Sequence, residues 1–423
     1  MDQVTFGPFR LDMTTASLLR DGRELELRPQ AFHALRALVH NRGRYVGYAQ
    51  MINQAWDGNL VSKHTVAVTI GEVKKALAEY GLWITYRPKL GYRLDVPHSD
   101  DLVKQGWHFW TRRTREGFDK ALDCFQQAAI ENPGDYRGFE GMSLCYLLLG
   151  TYGMRPPREV YTGFQQAHKR AVELSGLTPE RRADRAHGLH LFEHRLEEAE
   201  VELLQAQAES PDSPEVYVRL TMLYITQGRL DDALNILIRA RATHSLWPTV
   251  PAHEVLVRFF RREFDLAVDC GKRALELHPY LYLGRLFYAE ALEYSGRTVQ
   301  ALEQYRLAVI MSPDLPWLQA MEGACLAKNG KRKEALAILT ELLQIRKTQY
   351  IDAYFMAVLF DALGDPDQAM QELERAYHEK SAALFAMAVD PRVDNLRGDP
   401  RFVNLQNRVL SPAIKDAPQA VSA

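Results

Sequence analysis

The chain has 423 residues, of which 47% are apolar and 25% charged, the balance of an ordinary folded, soluble protein with room for more than one domain. The net charge of −2 is unevenly spread: residues 1–100 carry 13 Lys/Arg against 10 Asp/Glu, leaving 39 against 44 in the remainder, so the two parts are expected to meet different partners. No stretch approaches the run of about 18 apolar residues that a membrane helix needs, and the amino terminus lacks the basic, apolar, small-residue layout of a secretory signal, so a cytoplasmic location without membrane contact is expected.

Residues 3 to 28 predict short strands. Val4, Phe6, Phe9 and Leu11 form an apolar run, Asp21-Gly22 is a turn dipeptide, and Leu25 and Leu27 alternate with Glu24 and Glu26. Arg28-Pro29 then opens a first helix whose stripe is Phe32, Leu35, Leu38 and Val39. A second helix runs from Tyr48 to Trp56 and breaks at Asp57-Gly58-Asn59. Ser62 caps a third through Tyr80, with Val66, Ile70, Val73 and Leu77 inward and Lys63, His64, Thr65, Thr69, Glu72, Lys74 and Lys75 left for other faces. Trp83 to Arg87 and Tyr92 to Val96 form a basic hairpin through Pro88-Lys89-Leu90-Gly91. Three helices closed by such a hairpin outline a winged helix.

The segments Leu27-Arg28-Pro29-Gln30-Ala31-Phe32, Gly43-Arg44-Tyr45-Val46, Trp56, His64-Thr65-Val66 and Ile84 to Arg93 together resemble the carboxy-terminal DNA-binding domain of OmpR/PhoB-type regulators. The resemblance implies double-stranded DNA as ligand, with Thr69 and Glu72 facing bases and Val68 against a thymine methyl. It implies backbone contacts from Trp56, His64, Lys74 and Thr85, and a minor-groove contact from Arg87. Lys63, Thr65, Lys75, Lys89 and Arg93 complete the candidate DNA-binding set. Gly71 and Glu72 depart from relatives, which often place arginine there. The resemblance also implies dimeric binding to tandem half-sites and a loop, Asp57 to Val61, facing RNA polymerase.

After a short linker, 97–101, the chain is self-similar. Ala199, Ala233, Ala267, Ala301, Ala335 and Ala369 stand 34 residues apart, and Ala206, Ala240, Ala274, Ala308, Leu342 and Ala376 follow seven later, marking a small-residue seam on one helix of each helix–turn–helix unit. Pro211, Pro279 and Pro313 end second helices, and Gly228, Gly296, Gly330 and Gly364 occupy the turns within pairs. This pattern resembles the tetratricopeptide repeat family. About eight repeats fit residues 102–383, with nine extra residues between Ala128 and Ala171 assigned to a loop near Thr151 to Pro157. A capping segment is expected over 384–410, with Val403, Leu405 and Val409 on its apolar side, and a disordered tail over 411–423. The fold class is therefore mainly α: an amino-terminal α+β winged helix followed by an all-α solenoid.

Three features bear on chemistry. His187, His190 and His194 lie at i, i+3 and i+7, a weak candidate for a metal site, although the repeat phase makes packing histidines the better expectation. Trp107, Phe109 and Trp110 either line a partner-binding groove or seal the joint beside the winged helix. Cys124 and Cys270 fall on one repeat position and Cys145 and Cys325 on another, without ligand spacing, as buried thiols do. No phosphate loop, nucleophile elbow or paired-carboxylate motif is present, so neither an enzyme nor a cofactor is expected. The expected function is a one-component transcriptional regulator with a sensor or protein-interaction solenoid; the alternative is a scaffold whose winged helix binds protein.

Overall fold

The computed structural model describes residues 3–6, 9–20, 23–77, 83–95, 99–243, 247 and 249–410. It divides into two compact units, Met1–Met142 and Ser143–Ala423. The expected Asp21-Gly22 turn, the end of the third helix at Tyr80, residues 96–98 of the joint and the 411–423 tail lie outside the described residues.

In the first unit, β1 (Gln3–Phe6), β2 (Phe9–Asp12), β3 (Ser17–Arg20) and β4 (Arg23–Leu25) form an antiparallel meander in chain order. Asp12 turns the chain between β2 and β3 by accepting the amides of Thr14 and Thr15 at 2.9 and 3.1 Å, an Asx-type turn. Helices α1 (Pro29–His40), α2 (Tyr48–Ala55) and α3 (Lys63–Leu77) follow, then the hairpin of β5 (Trp83–Arg87) and β6 (Gly91–Asp95). Ser62 Oγ caps α3 by accepting the Thr65 amide at 3.0 Å. Helix α1 packs on α2, α3 and β6, burying Phe32, Leu35 and Leu38 among Phe6, Phe9, Leu18, Ile52, Ile70 and Leu94.

The root of the hairpin touches the backbone before α2. Tyr92 and Val46 exchange amide–carbonyl bonds of 3.1 and 2.7 Å, and Gly91, at φ +101°, has no room for a side chain because a Cβ would stand 2.0 Å from the Val46 carbonyl oxygen. The wing is thereby fixed to the body of the domain.

Helix α4 (Ser99–Trp110) already begins at Ser99, so residues 99–101 of the expected linker are helical. Asp100 and Asp101 favour this by placing negative charge in a first turn. It pairs with α5 (Arg115–Glu131), and Gly106 admits the Phe125 ring, which a Cβ there would meet at 2.5 Å. Helix α6 (Tyr136–Thr151) contains the boundary between the units.

The second unit continues with α7 (Pro157–Ser175), α8 (Pro179–Glu193), α9 (Leu196–Glu209), α10 (Pro214–Thr226), α11 (Leu230–Thr243), α12 (Thr249–Phe260) and α13 (Phe264–Leu277). The array ends with α14 (Tyr282–Tyr294), α15 (Thr298–Met311), α16 (Trp317–Lys328), α17 (Arg332–Ile345), α18 (Ala353–Ala362) and α19 (Pro366–Glu379). Among the described residues, α4 to α19 thus make eight helix pairs. Every alanine of the 34-residue ladder is buried in the seam. His194, Gly228, Arg262, Gly296, Gly330 and Gly364, again 34 apart, all adopt positive φ of 56° to 81°, ending the first helix of each pair in the left-handed region. The extra residues near 151–157 are not simply a loop: α6 has 16 residues and α7 has 19, so helix lengthening absorbs much of the excess.

The carboxy-terminal region departs from a simple cap. Helix α20 (Pro400–Leu410) packs on α19 and buries Phe402, Leu405 and Val409, while Val403 is 46% exposed, a correction to its expected apolar role. The two 3-10 segments before it, Ala382–Ala386 and Pro391–Leu396, run back against α8, α10 and α18, because Leu384, Met387, Val393 and Leu396 find burial there rather than on the last repeat.

Candidate nucleic-acid interface

Helix α3 has two faces. Val66, Thr69, Ile70, Val73 and Leu77 are buried, whereas Lys63, His64, Thr65, Ala67, Val68, Gly71, Lys74 and Lys75 are exposed. Thr69 is therefore corrected: its hydroxyl donates to the Thr65 carbonyl at 3.0 Å and the side chain faces the core, not a base. Val68 is 48% exposed on the face of α3 that carries Lys63, His64 and Lys75. Trp56, expected to contact the DNA backbone, is buried at the end of α2.

Glu72 is half-buried and paired. Arg28, the residue before α1, donates Nε to Glu72 Oε2 at 2.8 Å and Nη2 to Oε1. Its carboxylate is thus held by a guanidinium rather than offered to the groove, and Arg28 becomes a further cation beside α3. In the sequence Arg28 stands out as a helix opening and as part of a family motif, not as a partner of Glu72; a pairing 44 positions away leaves no local signal.

On the wing, Arg87 and Lys89 are exposed, the latter at φ 68° in the turn. The guanidinium carbons of Arg87 and Arg93 lie 5.7 and 4.8 Å from the centre of the Tyr45 ring, so Tyr45 is a second residue the motif concealed. Arg93 also lies 2.5 Å from Asp95, to which Thr85 donates its hydroxyl at 2.9 Å. The Thr85 proton is already used within the hairpin, so its expected donation to a phosphate requires breaking that bond. Exposed Lys63, Lys74, Lys75, Arg87 and Lys89 with Arg28 supply charged donors suited to phosphate oxygens. The Asp57 to Val61 loop carries Leu60 at 88% exposure and is anchored by the Tyr48 hydroxyl on the Val61 carbonyl.

The aromatic group at 107–110 is half-buried in the α4–α5 pair. Trp107 meets Phe125 edge-on at 5.1 Å and Trp110 meets Phe118 at 6.4 Å, while Arg113 covers Trp110 at 3.7 Å and Arg112 covers Phe109 at 5.0 Å. These rings are occupied by their own helix pair.

The histidines do not converge. His187 and His190 are buried on α8 with Nε2 atoms 3.3 Å from Thr151 Oγ1 and 2.7 Å from Thr226 Oγ1. His194 lies beyond the helix end at φ 56° and stacks on Tyr377 at 5.7 Å, because it occupies the position that is glycine in four other repeats. Burial pushes His190 down to about 3, His194 to about 4 and His187 also well below its ordinary value, keeping all three neutral. Among the described residues no three His, Cys, Asp or Glu side chains form a metal-binding group. All four cysteines are buried thiols, and none is in a disulfide among the described residues.

Comparison with known proteins agrees with this geometry. Residues 22–94 match the family described as "Transcriptional regulatory protein, C terminal", and residues 191–247 match a tetratricopeptide repeat. The chain is 33% identical over 86 residues to the transcriptional regulatory protein CutR of Streptomyces coelicolor, a match covering 20% of this chain and 39% of that protein. It is 28% identical over 98 residues to the transcriptional activator CadC of Escherichia coli, covering 22% of this chain and 19% of that protein. The chain thus spans well under half the length of these relatives. The human IFIT1 dimer with m7Gppp-AAAA aligns at a TM-score of 0.51 and 14% identity, over 82% of this chain and 90% of that one, a likeness of fold alone. Among the described residues no helix is long and apolar enough to cross a membrane. The chain therefore joins a winged-helix domain of the OmpR/PhoB type found in transcriptional regulators to an array of tetratricopeptide repeats.

Proposed function

We propose that this protein regulates transcription by binding promoter DNA through residues 1–96, while its repeats bind a protein or peptide that governs that activity. The observation that carries this reading is the exposed cationic face of α3 beside a rigidly rooted basic wing, on a domain similar to those of known regulators. Helix α3 enters the major groove, presenting His64, Val68 and Lys75, while Lys63, Lys74, Arg87 and Lys89 hold phosphates. With Thr69 inward, Gly71 bare and Glu72 paired, base contacts are few, and DNA shape carries part of the selectivity. The protein binds as a homodimer on tandem half-sites, and the loop bearing Leu60 meets RNA polymerase. It acts in the cytoplasm by binding and not by catalysis.

The test is selection of sequences from random duplexes by the full chain, then titration of the enriched site and a scrambled duplex at 50 and 200 mM salt. About five phosphate contacts at roughly −0.9 each in log–log slope predict a several-hundred-fold weakening across that range. Enrichment of a tandem motif that outcompetes the scramble supports regulation. Negligible affinity for any duplex would favour a scaffold, for which the exposed Leu60, Val68, Tyr86 and Leu90 would be the protein-binding surface.

A further inference from the structure

Repeat arrays contact mainly nearest neighbours, so a short segment touching many repeats must lie where the array curves around it. Residues 381–397 do this. Ala382 and Phe385 join a cluster with Leu191 and Phe192 of α8 and Met222 of α10, and Phe385 meets Phe260 of α12 edge-on at 6.3 Å. Arg392 pairs with Glu290 of α14. Asp390 accepts from the Tyr354 hydroxyl of α18 at 2.6 Å, and Asn395 donates to Asp361 of α18 at 3.1 Å. First helices of five repeats thus surround one non-α-helical stretch of chain.

The arginine is the discriminating contact. Arg392 is buried, with its guanidinium between Asp390 of its own segment and Glu290 of the array, and 5.9 Å from the Phe355 ring. Glu290 is fully buried and its Oε2 has no hydrogen-bond partner among the described residues. A buried carboxylate in that position is costly without a cation. Burial pushes its carboxyl up to about 7 despite the attraction of Arg392, so the site relieves that cost by holding the arginine or by taking up a proton.

We propose that the inner face of the repeats is a receptor for an arginine-bearing peptide, and that residues 381–397 occupy it in cis, with Phe385 as apolar anchor and Arg392 as the cation for Glu290. The partner is a protein segment presenting an apolar anchor and an arginine about seven residues later, and it binds by displacing the chain's own segment. This rests on the repeats being a partner-binding module and is independent of whether the winged helix binds DNA.

The probe is a fluorescein-labelled synthetic peptide of residues 381–397, titrated by anisotropy into the full chain. Arg392→Ala in the chain weakens the cis competitor, so that variant should bind the peptide at least tenfold more tightly than the unaltered chain. A peptide carrying Arg392→Ala, or a chain carrying Glu290→Gln with Arg392→Ala, should lose at least tenfold. Circular dichroism checks the fold of each variant. If Arg392→Ala unfolds the chain, Asp394→Ala with Asn395→Ala loosens the segment at its outer end, where Asp394 pairs with the exposed Arg262 at 2.9 Å, and should also raise peptide affinity. A folded variant that binds the peptide no better than the unaltered chain, or binds it equally with and without the arginine, overturns the inference. DNA titration of the same preparations separates the cases: peptide capture without DNA binding would remove the regulator and keep the receptor.

Discussion

Replacing Glu72 with alanine should tighten DNA binding. In the free protein its carboxylate is held by Arg28, with side-chain exposures of 65% for Arg28 and 35% for Glu72, so the pair contributes at most about 1 kcal/mol to stability. Near DNA the carboxylate is a liability. At about 6 Å from a phosphate in an aqueous dielectric it repels by about 0.7 kcal/mol, roughly threefold in affinity. Its loss also frees Arg28 to take a phosphate, which adds about −0.9 to the log–log salt slope, a factor of about 3.5 between 50 and 200 mM. The variant should therefore bind more than about threefold more tightly at 50 mM, and the part of its advantage that comes from Arg28 should shrink about 3.5-fold by 200 mM. Arg28→Ala with Glu72→Ala should return the slope to that of the unaltered chain. Anisotropy titrations on the selected duplex and its scramble measure both quantities. If Glu72→Ala instead weakens binding, and only on the selected sequence, Glu72 accepts from a cytosine amino group and its pairing with Arg28 is broken in the complex.

Gly91→Ala should destabilise the winged helix by about 2 kcal/mol or more, read by chemical denaturation, since the substitution combines a positive φ with a contact to the Val46 carbonyl. Phe402→Ala should cost about 3–5 kcal/mol by emptying a fully buried site, whereas Val403→Ser should stay within about 0.5 kcal/mol. The buried neutral histidines bind protons only on unfolding, so the stability they confer is complete above about pH 6.5 and is lost as pH falls toward the folded values. Glu290 and Asp352, raised to about 7 and about 6, oppose this by holding protons in the folded state. His190→Gln should accordingly flatten the acid limb of a stability–pH curve by about 1.4 kcal/mol per pH unit between pH 6 and 4.

The repeats were legible because a structural period writes itself into the sequence: a seam that admits only small side chains must recur wherever the backbone does. The same period marks His194, which stands 34 residues before Gly228 and so belongs to a helix end rather than to a metal-binding stripe. Thr69 was legible too. It lies three residues after Val66 and four before Val73, inside the buried arc, but its polar side chain set it among the residues left for other faces, and the family resemblance then turned it to a base. What remained hidden was long-range. Asp390-Pro391-Arg392 and Asp399-Pro400-Arg401 are identical tripeptides, yet Arg392 is buried against Glu290 while the Arg401 side chain is 51% exposed on the surface. No local rule separates them, because the difference lies in α14, about a hundred residues earlier.

The occupied inner face changes how partners of this protein should be sought. An apparent dissociation constant equals the intrinsic one divided by the fraction of molecules whose site is open. If the segment vacates the groove in about 1% of molecules, a peptide of about 1 μM intrinsic affinity registers near 100 μM, below the reach of most capture experiments. The unaltered chain would then look inert toward its own partner. An arginine-bearing segment delivered at high local concentration, as by a protein held beside it on the same DNA, avoids that penalty because tethering supplies effective concentrations of order millimolar. DNA binding by one end of the chain and partner capture by the other would in that case reinforce each other without any contact between the two sites.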